Sequence, residues 1–176
     1  GWTLIAVDQG PLLQVCGGIF CDWSTYFGTL AMVSTDAADD IALDTSVMLD
    51  GLPSVKCTFT SAASGTFIAD YTFTNAVSLK NFRTIQVPLR ITGNDSGNTG
   101  GVATNSTPFQ LWLTLSGGGT VRLQCDANNV PPNTWHVFSW SRESPSGLVT
   151  FAGGATAWSD LDSQTITKIR IVQATG

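Results

Sequence analysis

Positive charge is scarce in this chain. Eight Lys and Arg stand against thirteen Asp and Glu, a formal net charge of −5, whereas phosphate backbones are held by a basic stripe, so nucleic acid is not an expected partner. Long apolar runs are missing as well: none approaches the length of a membrane span, and no signal peptide opens the chain. Membrane insertion is therefore not expected. Glutamate and histidine occur once each, as Glu143 and His136. General acid–base chemistry needs an acid, a base and their support in one cleft. His136 has no Asp or Glu in its own strand and lies close to Trp135 and Trp140, where it reads as packed, and a glycosidase pair would have to be drawn from Asp residues such as Asp126. No catalytic residue is expected.

Cysteine is also sparse: four in 176 residues do not make a disulfide scaffold. Cys57 and Cys125 fall at inward positions of strand patterns, where a thiol acts as a small apolar side chain. Cys16 and Cys21 flank Gly17 and Gly18 and could pair or stay reduced. The spacing fits no zinc site. Apolar content of 43% with only 12% charged residues marks a folded chain, and 176 residues suit a single domain over 1–176. The chain opens at Gly1 without an initiator Met and is expected to be a piece of a longer protein.

What the chain has in quantity is alternation. Pro108 to Asp126 alternates apolar and polar residues on both sides of Gly117-Gly118-Gly119, the signature of a β-hairpin. Successive strand side chains point to opposite faces, so Phe109, Leu111, Leu113 and Leu115 share a core face with Val121, Leu123 and Cys125. Short strands are also predicted within 2–15, over Ile19–Trp23 and over Gly28–Val33. Residues 55 to 73 predict a second antiparallel pair joined through Ser61–Gly65. Phe82–Ile91 puts Arg83, Ile85, Val87, Leu89 and Ile91 in a mainly core register, opposite Thr84, Gln86, Pro88 and Arg90. Pro88 lacks an N–H, which predicts an edge position or a bulge there. Trp135–Ser141 is apolar on both faces and reads as an interior strand, Ser144–Gly154 reads as irregular, and Trp158–Asp162 as a turn. Ile166–Val172 closes the pattern with Ile166, Lys168, Arg170 and Val172 opposite Ile169 and Ile171. About ten short strands and no convincing helix predict an all-β fold, a two-sheet antiparallel β-sandwich.

The outward face of the hairpin carries Gln110, Trp112 and Thr114 beside Arg122, Gln124 and Asp126. A pyranose has an apolar C–H face and a hydroxyl rim, which suits an indole ringed by amide, guanidinium and carboxylate groups. Left bare, the roughly 200 Å² of a Trp forgoes several kcal/mol at about 25 cal/mol per Å². Trp112 therefore predicts a cover: a sugar, a neighbouring subunit, or the Gly- and Asn-rich loop of residues 93–107. Gln86 and Arg90 are further candidate sugar contacts. The loop holds the sequons Asn94-Asp95-Ser96 and Asn105-Ser106-Thr107, which count only in a secretory setting. Asp36, Asp39, Asp40 and Asp44, or Asp160 and Asp162, could hold a structural calcium ion, although their spacing is not that of an EF-hand, and a solvated loop is the plainer reading of the first four. No other cofactor is expected.

Several stretches resemble the jelly-roll domains grouped with carbohydrate-binding modules in bacteriophage tail fibres and tailspikes. The resemblance runs through Asp22-Trp23, Gly51-Leu52-Pro53-Ser54-Val55-Lys56, Pro131-Pro132-Asn133-Thr134-Trp135, Trp158-Ser159-Asp160-Leu161 and Thr165-Ile166-Thr167-Lys168-Ile169-Arg170-Ile171, covering most of residues 20 to 173. It implies a jelly roll of the galactose-binding or carbohydrate-binding-module kind, with glycan bound on a concave sheet or at a loop end. It further implies a non-catalytic, receptor-binding role on a virion tail or outside the cell, directed at host-surface polysaccharide, with a homotrimer as one possible assembly. The first 18 residues lie outside the resemblance, and sugar contacts vary too much in this family to carry over, so Trp112 and its neighbours rest on alternation. The alternatives are a structural or oligomerising β-sandwich domain of a virion protein and a jelly-roll polysaccharide-degrading enzyme.

Overall fold

A computed structural model of the chain describes residues 2–5, 13–15, 18–21, 28–33, 40–49, 52–58, 66–80, 82–91, 109–125, 134–143 and 148–173. Among them are strands β1 (Trp2–Ile5), β2 (Leu13–Val15), β3 (Gly18–Cys21), β4 (Gly28–Met32), β5 (Asp40–Leu49), β6 (Leu52–Thr58), β7 (Thr66–Ser78), β8 (Thr84–Ile91), β9 (Phe109–Leu115), β10 (Thr120–Cys125), β11 (Trp135–Ser141), β12 (Val149–Ala152) and β13 (Thr165–Gln173), with the short helix α1 (Asp160–Ser163). They build an all-β, jelly-roll-like sandwich of two antiparallel sheets. One is seven-stranded, in the order β3-β2-β8-β1-β6-β5 with β11 also on β8, and the other runs β12-β10-β9-β13-β7-β4.

The hairpin β9–β10 forms in the register its alternation predicts, with Leu113 opposite Val121 and Trp112 opposite Arg122. Its turn closes through Leu115 N to Gly119 O at 2.8 Å and Gly118 N to Leu115 O at 2.9 Å. Gly118 sits there at φ +89°, a left-handed conformation that favours glycine. Leu111, Leu113, Leu115, Val121, Leu123 and Cys125 are 0–1% exposed and meet Ile85, Val87, Leu89, Phe138 and Trp140 of the other sheet in one core. Burial pushes the Cys125 thiol well above its ordinary pKa, which keeps it a neutral core side chain. Trp140 also ties the layers together, its indole Nε1 donating to Gln124 O at 2.8 Å.

Several strand partners differ from those expected. β6 pairs with β5 and β1, and β7 with β13 and β4, so the pair predicted over 55–73 does not form and its two halves lie in different sheets. Alternation fixes a strand's faces but not its neighbours. β11 is not interior: among the described residues it pairs only with β8, and its Val137 is 53% exposed. Asp40 and Asp44 belong to strand β5, not to a loop, and β12 occupies part of the stretch read as irregular. The turn expected over Trp158–Asp162 is capped by the four residues of α1. Arg83 is exposed ahead of β8 and does not share the core register of Ile85, Val87 and Leu89.

Two irregularities have a physical origin. Among the described residues, the ladder on one edge of β8 passes from β1, at Leu89, to β2, at Gln86, so Val87 and Pro88 fall at the interruption. Pro88 lies neither on an edge strand nor at a bulge: β8 is paired on both sides, and its register with β11 runs through Pro88 opposite Val137 without a shift, while the missing N–H is tolerated at the break in the other ladder. In β13 the register shifts between Ile166 and Lys168 against both neighbours. This bulge puts Ile166 in the core with Ile169 and Ile171, while Lys168 and Arg170 point outward and Val172 is buried beyond a second shift. A strict period of two misplaced both ends of that strand.

Candidate functional site

The registers of the six-stranded sheet align one row across all its strands. Thr150 stands opposite Arg122, Arg122 opposite Trp112, Trp112 opposite Arg170, Arg170 opposite Asp70, and Asp70 opposite Ala31. Directly opposed residues in antiparallel strands share a face. Because Leu111, Leu113, Leu123, Ile169 and Tyr71 fill the inward positions, this row lies on the outer face. A second row, Thr120, Thr114, Lys168, Thr72 and Thr29, runs beside it and adds hydroxyl groups.

Trp112 is half-buried, and its surroundings are built by its own sheet. Its Nε1 donates to Gln110 Oε1 at 2.7 Å, which fixes the indole against the amide two residues earlier in the strand. The Arg122 guanidinium carbon lies 3.9 Å from the indole centroid, within the range of cation–π attraction. One face of the ring is therefore capped by Arg122, and the platform the sequence suggested is an indole–guanidinium stack. Arg122 Nε is buried and, among the described residues, has no hydrogen-bond partner.

Asp70 organises the other half of the row. Arg170 grips it with both arms of the fork, Nε to Oδ1 at 2.6 Å and a terminal nitrogen to Oδ2 at 2.7 Å, and Lys168 Nζ adds a third bond at 3.0 Å. Burial raises the Asp70 carboxyl, but the hydrogen bonds and charges of Arg170 and Lys168 outweigh it and hold the group below its ordinary 3.8. The same contact raises the Arg170 guanidinium, keeping it charged.

The expected contacts divide between the layers. Gln110, Trp112, Arg122 and Gln124 come together on this face, with Gln110 opposite Gln124 in the register. Gln86 and Arg90 do not join them: they lie on β8 in the other sheet, outward of Val87 and Leu89, so one ligand ring cannot touch both groups. Gln86 and Arg90 are therefore not part of the Trp112 site. Asp126, the loop 93–107 with its sequons, Cys16, Asp36 and Asp39 lie outside the described residues. Asp70, Lys168 and Arg170 were absent from the expected site. Their outward positions were legible in the alternation of 66–74 and 166–172, but not that those strands would flank β9.

The remaining acids have other partners. Asp44 Oδ1 accepts from the Ser46 amide at 2.8 Å and hydroxyl at 2.6 Å. Asp160 Oδ2 accepts from the amides of Thr156 and Ala157 at 2.7 and 2.9 Å, bonds that hold its carboxyl below the ordinary value. Asp162 pairs with Arg142, whose Nε donates to Phe82 O at 3.0 Å and whose guanidinium lies 4.8 Å from the Phe82 ring. Among the described residues no three His, Cys, Asp or Glu side chains converge as metal ligands would. His136 is exposed on β11, its ring 4.7 Å from Phe138, and Glu143 is exposed in the turn beyond, both away from the Trp112 row. No family model matches the chain, and no curated protein matches it.

Proposed function

We propose that this protein is a non-catalytic glycan-binding module that takes sugar on the outer face of its six-stranded sheet, in the manner of receptor-binding domains on bacteriophage tails. The observation that supports this reading is the row itself: Trp112, held by Gln110 and stacked with Arg122, stands opposite Arg170 on a face that also carries amides, threonines and the Asp70–Lys168 ion pair. A sugar's C–H face would pack against the half-buried indole beside Arg122. Its hydroxyls would bond the amides of Gln110 and Gln124, with Thr114 and Thr120 at the margin. Single-site affinity of this kind is weak and rises with multivalent display on a virion or another extracellular assembly.

The test is a glycan array probed with the protein and with Trp112→Ala. Recognition of a defined set of glycans, reduced about tenfold or more by a substitution that leaves the β-rich circular dichroism intact, is the expected result, a stacking contact of 1 to 2 kcal/mol being worth about that. Solution mass measured alongside reads the competing role. If the array stays silent and the protein forms an oligomer that Trp112→Ala dissociates, the face is an interface between copies and the domain is structural.

A further inference from the structure

The charge on this face runs against the charge of the chain. Overall the protein is negative by five, with only eight Lys and Arg. Three of those cations, Arg122, Lys168 and Arg170, lie within two neighbouring rows of one sheet, and Asp70 is the one carboxylate among the described outward residues of its strands. Asp70 is shared by Lys168 and Arg170. Among the described residues, three positive groups against one negative leave an excess of two positive charges on this face.

Arg122 is the member with the least compensation. Its guanidinium has an aromatic ring beneath it and, among the described residues, no carboxylate beside it. Stacking on an indole attracts the cation but supplies no acceptor for its N–H groups, and Nε is already buried without one. The terminal nitrogens remain as the part a ligand can reach. A planar fork fixed in orientation by an aromatic face is suited to a two-oxygen anion, and charge-assisted bonds of this kind are roughly twice as strong as neutral ones. The ring of an acidic sugar and its charged substituent would then meet Trp112 and Arg122 together.

Building on the glycan-binding reading, we propose that the ligand is an anionic glycan, whose carboxylate or sulfate group is seated by Arg122, within the field of Lys168 and Arg170, while the sugar ring packs on Trp112. The role of Asp70 is to hold Arg170 and Lys168 in place and to lower the charge of the face enough for it to fold, leaving the excess for the ligand.

The experiment compares array glycans bearing uronic or sialic acid, sulfated glycans and neutral glycans. The strongest hit is then titrated before and after its carboxyls are reduced to alcohols or its sulfates removed. The proposal expects hits confined to anionic glycans, at least tenfold weaker binding after neutralisation, and affinity that falls with added salt. Arg122→Gln should cost about as much on the charged glycan and nothing further on the neutralised one, with Arg122→Lys between them, because charge survives but the fork does not. Which class of anion is bound identifies carboxylate or sulfate as the group recognised. Chemical neutralisation leaves the protein untouched, so the outcome stands even if a variant folds poorly. Neutral glycans bound as tightly as charged ones would overturn this inference and leave the glycan-binding reading intact. An array silent to every glycan would overturn both.

Discussion

The two faces of the hairpin β9–β10 are made by the same thirteen strand residues and are held by different physics. Inward, Leu111, Leu113, Leu115, Val121, Leu123 and Cys125 are sealed by side chains from both sheets, and any apolar group of the right volume would serve. Outward, Gln110, Trp112 and Arg122 are half-buried and depend on directed contacts: an amide at 2.7 Å, a guanidinium at 3.9 Å. The inner face specifies the fold. The outer face is built with more geometric care than folding demands, and that difference marks it as the candidate site.

Substitutions sharpen the contrast. The largest loss is expected from Leu113→Ala, fully buried between the sheets, which should cost about 2 to 5 kcal/mol in denaturant melts and leave any glycan preference of the surviving folded protein unchanged. A core substitution that altered specificity without lowering stability would break the division between the faces. Trp140→Phe should cost somewhat less, about 1 to 3 kcal/mol, by leaving Gln124 O without its indole donor and opening a small void.

Asp70→Asn comes next. It removes the partner of two cations, and each charge-assisted bond is worth about 1.5 to 3 kcal/mol at most, so a loss of about 2 kcal/mol is expected at neutral pH. The pH dependence has a definite sign. A folded-state pKa below the unfolded one means that Asp70 stabilises the fold above its ordinary 3.8 and loses that contribution as pH falls toward the lower folded value. Melts from pH 7 down to pH 3 should therefore converge for wild type and Asp70→Asn at the acid end. Parallel curves at every pH would show that the ion pairs add nothing to stability.

The smallest effect on stability belongs to Trp112→Ala. Half-buried and stacked with one cation, the indole should contribute about 1 to 2 kcal/mol to folding, well under the Leu113 cost, while carrying the greater share of binding. A melt lowered as far as that of Leu113→Ala would make Trp112 part of the core and remove the contrast.

The sequence by itself determined the all-β sandwich, the hairpin with its register and turn, the core face of Leu111 to Cys125, and the outward cluster of Gln110, Trp112, Arg122 and Gln124. Each of these is local: a period of two and a glycine at a left-handed turn can be read from consecutive residues. Only the tertiary structure decided that β6 and β7 part into different sheets, that β11 lies at an edge, and that Gln86 and Arg90 face away from Trp112. It alone placed the last strand, β13, between β7 and β9, and so brought Arg170, Lys168 and Asp70 beside the indole. Alternation tells which way a side chain points, but the partner of a strand is chosen by the burial of whole faces against one another, over separations of a hundred residues or more, as between Asp70 and Arg170.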